Sequence, residues 1–144
     1  MEYIKDQKNL SEKRILLRLD LNVPLKKGVI TDQTRIDKIL PIINYLLKKK
    51  SKILIISHVG RPKGRIIEDL SLKPICENLE KKIHQKISLI KENIFNLKKE
   101  DLFKDPENQI VFLENIRFYE EEEKNDPNFS KHLAKLADIF VNDA

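Results

Sequence analysis

Tryptophan is absent, cysteine and methionine occur once each, and glycine occurs three times in 144 residues. With Cys76 alone, no internal disulfide can form, and the chain is expected in a reducing, cytoplasmic setting. Glycines at positions 28, 60 and 64 spell neither G-x-x-x-x-G-K-[ST] nor G-x-G-x-x-G, so no cradle for a nucleotide triphosphate is visible. No apolar run nears the ~20 residues of a membrane span. The opening Met1-Glu2-Tyr3 also lacks the charged-then-apolar pattern of a leader, and no membrane partner is expected. Aromatic residues make up 6% of the chain, and no basic stripe carries stacking residues, which argues against nucleic acid as a partner. His84 and His132 share no metal-ligand spacing with His58 or with a carboxylate pair, so no metal is assigned.

What remains is an ordinary globular composition. Hydrophobic residues make up 40% and charged residues 35%, with a formal charge of +5. That mild excess permits an anionic partner without naming one. Much of it is lysine mixed with glutamate, as in Lys48 to Lys50 or Glu77, Glu80, Lys81 and Lys82, and reads as solvated helix faces. The acidic run Glu120 to Glu123 is expected to face water.

Apolar, partly β-branched runs at 14–19, 52–57, 110–113 and 138–141 read as strands, with a weaker one at 86–90. Ile36, Ile39, Leu40, Ile43, Leu46 and Leu47 recur at helical spacing, and so do Leu72, Ile75, Cys76, Leu79 and Ile83 after Ser71, an expected N-cap. Phe129, Leu133, Leu136 and Ala137 form a third stripe behind Asp126-Pro127, a cap followed by proline at the first helical position. Pro41 requires the first helix either to begin near Lys38 or to kink. Cys76 lies on an apolar stripe and reads as core. Strands alternating with helices imply a parallel sheet covered on both faces, a Rossmann-like three-layer α/β fold in one domain.

In such a sheet, ligands bind outside the carboxyl ends of the strands. There the sequence delivers Asp20, Asn22 and Pro24, then His58, Gly60, Arg61 and Pro62, then Glu114, Asn115 and Arg117, and finally Asn142 and Asp143. With Arg35 they bring planar guanidinium forks that suit phosphate or carboxylate. Taken singly, Asp20 and Asn22 suit an Asx turn, His58 a structural histidine, and Arg61 and Arg117 the surface. Their joint placement at strand ends favours a site for a compact, multiply charged metabolite.

These motifs resemble a known family. Arg18-Leu-Asp20-Leu-Asn22-Val-Pro24 resembles the R-x-D-x-N-x-P segment of phosphoglycerate kinases. Thr34-Arg35-Ile36, Ser57-His58-Val59-Gly60-Arg61-Pro62, Glu114-Asn115-Ile116-Arg117-Phe118 and the closing Val141-Asn142-Asp143-Ala144 follow in that family's order. The resemblance implies a monomeric glycolytic kinase of two domains, of which residues 1–144 are the amino-terminal, substrate-binding one, incomplete at its carboxyl end. That domain would bind 3-phosphoglycerate or 1,3-bisphosphoglycerate. Mg-ADP or Mg-ATP would be the co-substrate of a carboxyl-terminal domain absent from this chain, which alone would be inactive. Residue by residue, the resemblance implies Asp20, Leu21 and Asn22 at the carboxylate and hydroxyl end of the substrate, and Arg35 as the catalytic cation. It implies His58, Arg61 and Arg117 at the substrate phosphate, with Val59 and Gly60 as loop backbone. A stand-alone module that binds phosphorylated acids without catalysis is the alternative.

Overall fold

The computed structural model describes residues 10–26, 29–60, 62–105, 107–124 and 126–143. Five parallel strands form one sheet: β1 (Arg14–Leu19), β4 (Lys52–Ile56), β5 (Ile87–Ile90), β6 (Ile110–Leu113) and β7 (Ile139–Asp143), in the order β5-β6-β4-β1-β7. The short strands β2 (Leu25–Lys26) and β3 (Val29–Ile30) pair antiparallel as a hairpin of their own. At two residues each, they are too short to leave the alternation by which a strand is read in sequence.

Side chains alternate across the sheet, so each face has its own core. On one face Ile15, Leu17 and Leu19 pack with Ile36, Ile39, Ile43 and Leu46 of α1 (Thr34–Lys48) and with Ile75, Cys76 and Leu79 of α2 (Lys73–Ile83). On the other, Leu16, Leu54, Ile56, Val111 and Leu113 pack with Phe129 and Leu133 of α4 (Pro127–Lys135), and with Ile94 and Leu97. The three-layer α/β fold expected from the sequence is present. Between β5 and β6, however, the chain makes two short 3₁₀ turns, Ile94–Asn96 and Lys99–Asp101, rather than an α-helix. Cys76 is buried, and burial pushes its thiol pKa far up, as a core residue requires.

Three local readings of the sequence are corrected, and one left open is narrowed. Of the two options for the first helix, a start near Lys38 falls away, since α1 begins at Thr34 and runs through Pro41. Pro41 lies on the exposed side of that helix, where the carbonyl it leaves without an amide partner can reach water. The cap of α2 is Leu72, not Ser71; the carboxylate of Glu114 accepts the Leu72 N–H at 2.7 Å and the Ser71 hydroxyl at 2.6 Å. The last strand starts and ends later than expected and includes Asn142 and Asp143. Asp138 instead caps the start of β1, accepting the Arg14 N–H at 2.9 Å. The third correction concerns the acidic run and belongs with the site. The reading of Asp126-Pro127 holds, since the Asp126 carboxylate accepts the Asn128 N–H and proline opens the helix.

Candidate functional site

The register of the parallel strands brings their carboxyl ends level: Arg18 of β1 pairs with Ile56 of β4 and with Asn142 of β7. The loops that follow are tied to one another by buried polar side chains. The Ser57 hydroxyl donates to the Leu19 carbonyl at 2.8 Å and accepts the Leu21 N–H at 3.1 Å, which fixes the turn after β1 against the end of β4. Asn115 is fully buried; its amide donates to the Val59 and Leu70 carbonyls, both at 2.9 Å, and its oxygen accepts the Arg117 N–H at 3.0 Å. Ser57 and Asn115 therefore set loop positions rather than offering groups to a ligand.

Within this frame, Asp20, Asn22, Arg35 and Gly60 meet. Arg35 donates from Nη1 to Asp20 Oδ1 at 2.8 Å and to the Asn22 carbonyl at 3.1 Å. The Gly60 N–H donates to Asn22 Oδ1 at 2.9 Å. Gly60 has φ +63°, a conformation that favours glycine; a Cβ there would lie 2.7 Å from Leu70 Cδ2 and push that side chain aside. The side chains of Asp20 and Arg35 are about half exposed, at 47% and 48%. Asn22 also receives no help from an apolar wall, being exposed itself.

A second ionic cluster adjoins the first. Arg18 donates from Nη2 to Glu122 Oε1 at 3.0 Å, and Arg117 Nε lies 2.6 Å from Glu122 Oε2. The latter is an ion pair by distance, its N–H not being aligned for a hydrogen bond. Glu122 belongs to the single turn α3 (Glu120–Glu123), and only 8% of its side chain reaches water. The expectation that this run faces solvent is thus wrong for Glu122. A four-residue run has no apolar periodicity from which its inward member can be read, and the turn folds inward to neutralise two arginines. Arg18 was missed as well. Its signal was a charge inside a strand between Leu17 and Leu19, where burial calls for a counter-charge elsewhere in the chain.

His58 lies electrostatically between the two clusters. Burial lowers its pKa first; Arg117 and Arg18 lower it further, while Glu122 and Asp20 pull it up. The imidazole is therefore held toward its neutral form by burial first and by the neighbouring arginines second. Leu21 and Val59 have side chains buried in the core and can present only backbone. Arg61 lies outside the described residues. Glu114 is occupied at the end of α2 and also accepts the Asn115 N–H at 2.9 Å. A cleft of about 760 Å³ adjoins α3, lined by Glu114, Lys73, Lys91, Asn93, Tyr119 and Glu120 among others. Of the described strand-end residues named from the sequence it holds Glu114 alone, and its mixture of lysines and glutamates describes no single ligand charge. Among the described residues, no group of three or more His, Cys, Asp or Glu is arranged to hold a metal ion, and no helix is long and apolar enough to cross a membrane.

An open parallel α/β layer with hydrogen-bonded polar groups at its strand ends defines a protein of the class that meets ligands along that edge. Comparison with known proteins narrows the class. The family model described as phosphoglycerate kinase matches residues 4–144. The chain is 46% identical over 136 residues to the phosphoglycerate kinase of Dictyoglomus turgidum, covering 94% of this chain and 34% of that relative. It is 44% identical over 141 residues to that of Borrelia garinii, covering 98% of this chain and 36% of the relative. Among solved structures, phosphoglycerate kinase from Coxiella burnetii superposes with a TM-score of 0.85 at 36% identity, over 98% of this chain and 34% of that one. The Pyrococcus horikoshii enzyme gives the same TM-score at 30% identity, over 100% of this chain and 36% of that one. The chain belongs to the phosphoglycerate kinase family, and it spans about a third of the length of the curated relatives it matches.

Proposed function

We propose that residues 1–144 form the part of a phosphoglycerate kinase that holds 3-phosphoglycerate or 1,3-bisphosphoglycerate at the strand ends. The observation that supports this most directly is the meeting of Arg35, Asp20, Asn22 and Gly60 beside His58 and Arg117. Asp20 and Asn22 orient the carboxylate and hydroxyl end of the glycerate. His58, Arg61 and Arg117 take its phosphate, with Leu21, Val59 and Gly60 contributing loop backbone.

In the reaction so assigned, a terminal phosphate oxygen of ADP attacks the phosphorus of the acyl phosphate. The bond from phosphorus to the acyl oxygen breaks, and 3-phosphoglycerate leaves as a carboxylate, with ATP as the second product. Charge on the moving phosphoryl group is the main obstacle, and a positioned guanidinium is the means this edge has of meeting it. Arg35 is the candidate for that role. Mg-ADP or Mg-ATP is assigned to the portion of the family's length that this chain does not match, since no glycine-rich phosphate cradle occurs in these residues. The kinase so described works in the cytoplasm as a monomer, without nucleic acid or membrane.

Titration of the chain with 3-phosphoglycerate, followed by amide chemical shifts, tests the reading. The expected result is saturable, weak binding with shifts centred on Asp20, Asn22, Arg35 and Gly60, abolished in Arg35→Ala. Shifts centred elsewhere, or none, would refute the assignment. Affinity matching that of an intact kinase would favour a free-standing binding module instead.

A further inference from the structure

We propose that Glu122 is a positioning residue of the anion site: its one carboxylate holds Arg18 and Arg117 together as a pair, aimed before a phosphorylated ligand arrives. The inference rests on the reading of this edge as the 3-phosphoglycerate site and adds to it a residue that touches no ligand.

Two guanidinium groups brought side by side repel one another, and without a shared counter-charge long arginine side chains spread into solvent. Glu122 meets one through Oε1 at 3.0 Å and the other through Oε2 at 2.6 Å. The arginine side chains are 32% exposed, whereas that of Glu122 is only 8% exposed. The carboxylate is thus the buried centre and the cations form its outer, ligand-accessible shell. Its backbone is held too. Gly64, at φ +74°, passes so close to Glu120 that a Cβ would lie 2.9 Å from Glu120 Cα, and its N–H donates to the Arg117 carbonyl at 3.1 Å. The turn bearing Glu122 and the residue bearing one of its arginines are therefore fastened by the same glycine.

The arrangement has a consequence for selectivity. A carboxylate at this point lowers the net charge of the site, so it disfavours anions in general. By fixing two forks it favours an anion whose oxygens match them. Losing it should hurt a shaped ligand and spare a featureless one.

The test compares 3-phosphoglycerate with inorganic phosphate on the whole 144-residue chain, in wild type, Glu122→Gln and Glu122→Asp. In Glu122→Gln the preference for 3-phosphoglycerate over inorganic phosphate should fall about tenfold, and Glu122→Asp should recover part of it. Equal weakening of both ligands would reduce Glu122 to a structural residue, and an unchanged preference would overturn the proposal outright. A ligand-free readout runs beside it: the His58 titration midpoint should drop in Glu122→Gln, because the carboxylate that opposes Arg18, Arg117 and burial is gone while Asp20 remains. An unmoved His58 midpoint would refute the pairing whatever the ligands do. If Glu122→Gln does not fold, Glu122→Asp decides: its shorter carboxylate cannot meet both arginines as Glu122 does, so the preference for 3-phosphoglycerate should fall part of the way, and an unchanged preference would overturn the proposal. Wild-type protein that ignores 3-phosphoglycerate defeats the site assignment itself. Normal wild-type binding with an indifferent Glu122→Gln defeats only the role of Glu122.

Discussion

The Arg35–Asp20 pair and the Arg18–Glu122–Arg117 cluster occupy the same edge of the sheet but differ in their access to water. The first is half exposed on both sides; the second is built around a carboxylate that is nearly buried. An exposed pair is screened by solvent and exchanges partners at little cost, whereas a buried charge must keep its partner or unfold what surrounds it. The exposed pair can therefore change partners readily, whereas the buried carboxylate fixes the two arginines it holds.

The sharpest way to break this contrast is Glu122→Ala. It leaves two partly buried guanidinium groups facing each other and should destabilise the chain by about 3 kcal/mol, read as a shifted midpoint in urea unfolding. A loss below a few tenths would put both clusters in the same class. Next, Glu114→Ala removes the acceptor of the Ser71 hydroxyl and of the Leu72 and Asn115 N–H groups, and about 2 kcal/mol should follow in the same experiment. Arg35→Ala should change stability by less than ~1 kcal/mol while abolishing the chemical-shift response to 3-phosphoglycerate. A large loss of stability would make Arg35 part of the frame.

The subtlest expected change is one of slope. Because the folded pKa of His58 lies below the ordinary 6.5, the unfolded chain takes up its proton first as pH falls. Stability contributed by neutral His58 is complete above 6.5 and is lost as pH drops through the lower folded value. His58→Gln should flatten that stretch of a stability-against-pH curve, and an unaltered slope there would show that neither burial nor the neighbouring arginines hold the imidazole neutral.

How much of this could be read from residues alone follows from the same contrast. The strands were legible because Ile53 to Ile56 and Ile110 to Leu113 are continuously apolar, the mark of burial on both faces. Asp20, Asn22 and His58 stood out because they follow apolar runs closely, where polar residues have few structural reasons to gather; Arg35, in the first turn of α1, follows no such run and was added for its charge. Glu122 was not. Whether an acid in a run of four turns inward depends on which cation the folded loops bring opposite it, and Arg18 lies 104 positions away in the chain. Glu114 failed for the opposite reason: it stands at a strand end like the site residues, yet it is spent on capping α2. Position along a strand narrows the candidates, and hydrogen-bond partners sort them.

Pro41 bears on the helix that carries Arg35, the cation proposed for catalysis. Lacking an amide hydrogen, it leaves the Asp37 carbonyl without its usual partner, so the first turns of α1, which carry Arg35, are joined to the rest by one fewer rung. Lys82 of α2 reaches across to the Asp37 carboxylate. Where the helix's own ladder lacks that rung, an ion pair to the neighbouring helix ties the same turn from outside.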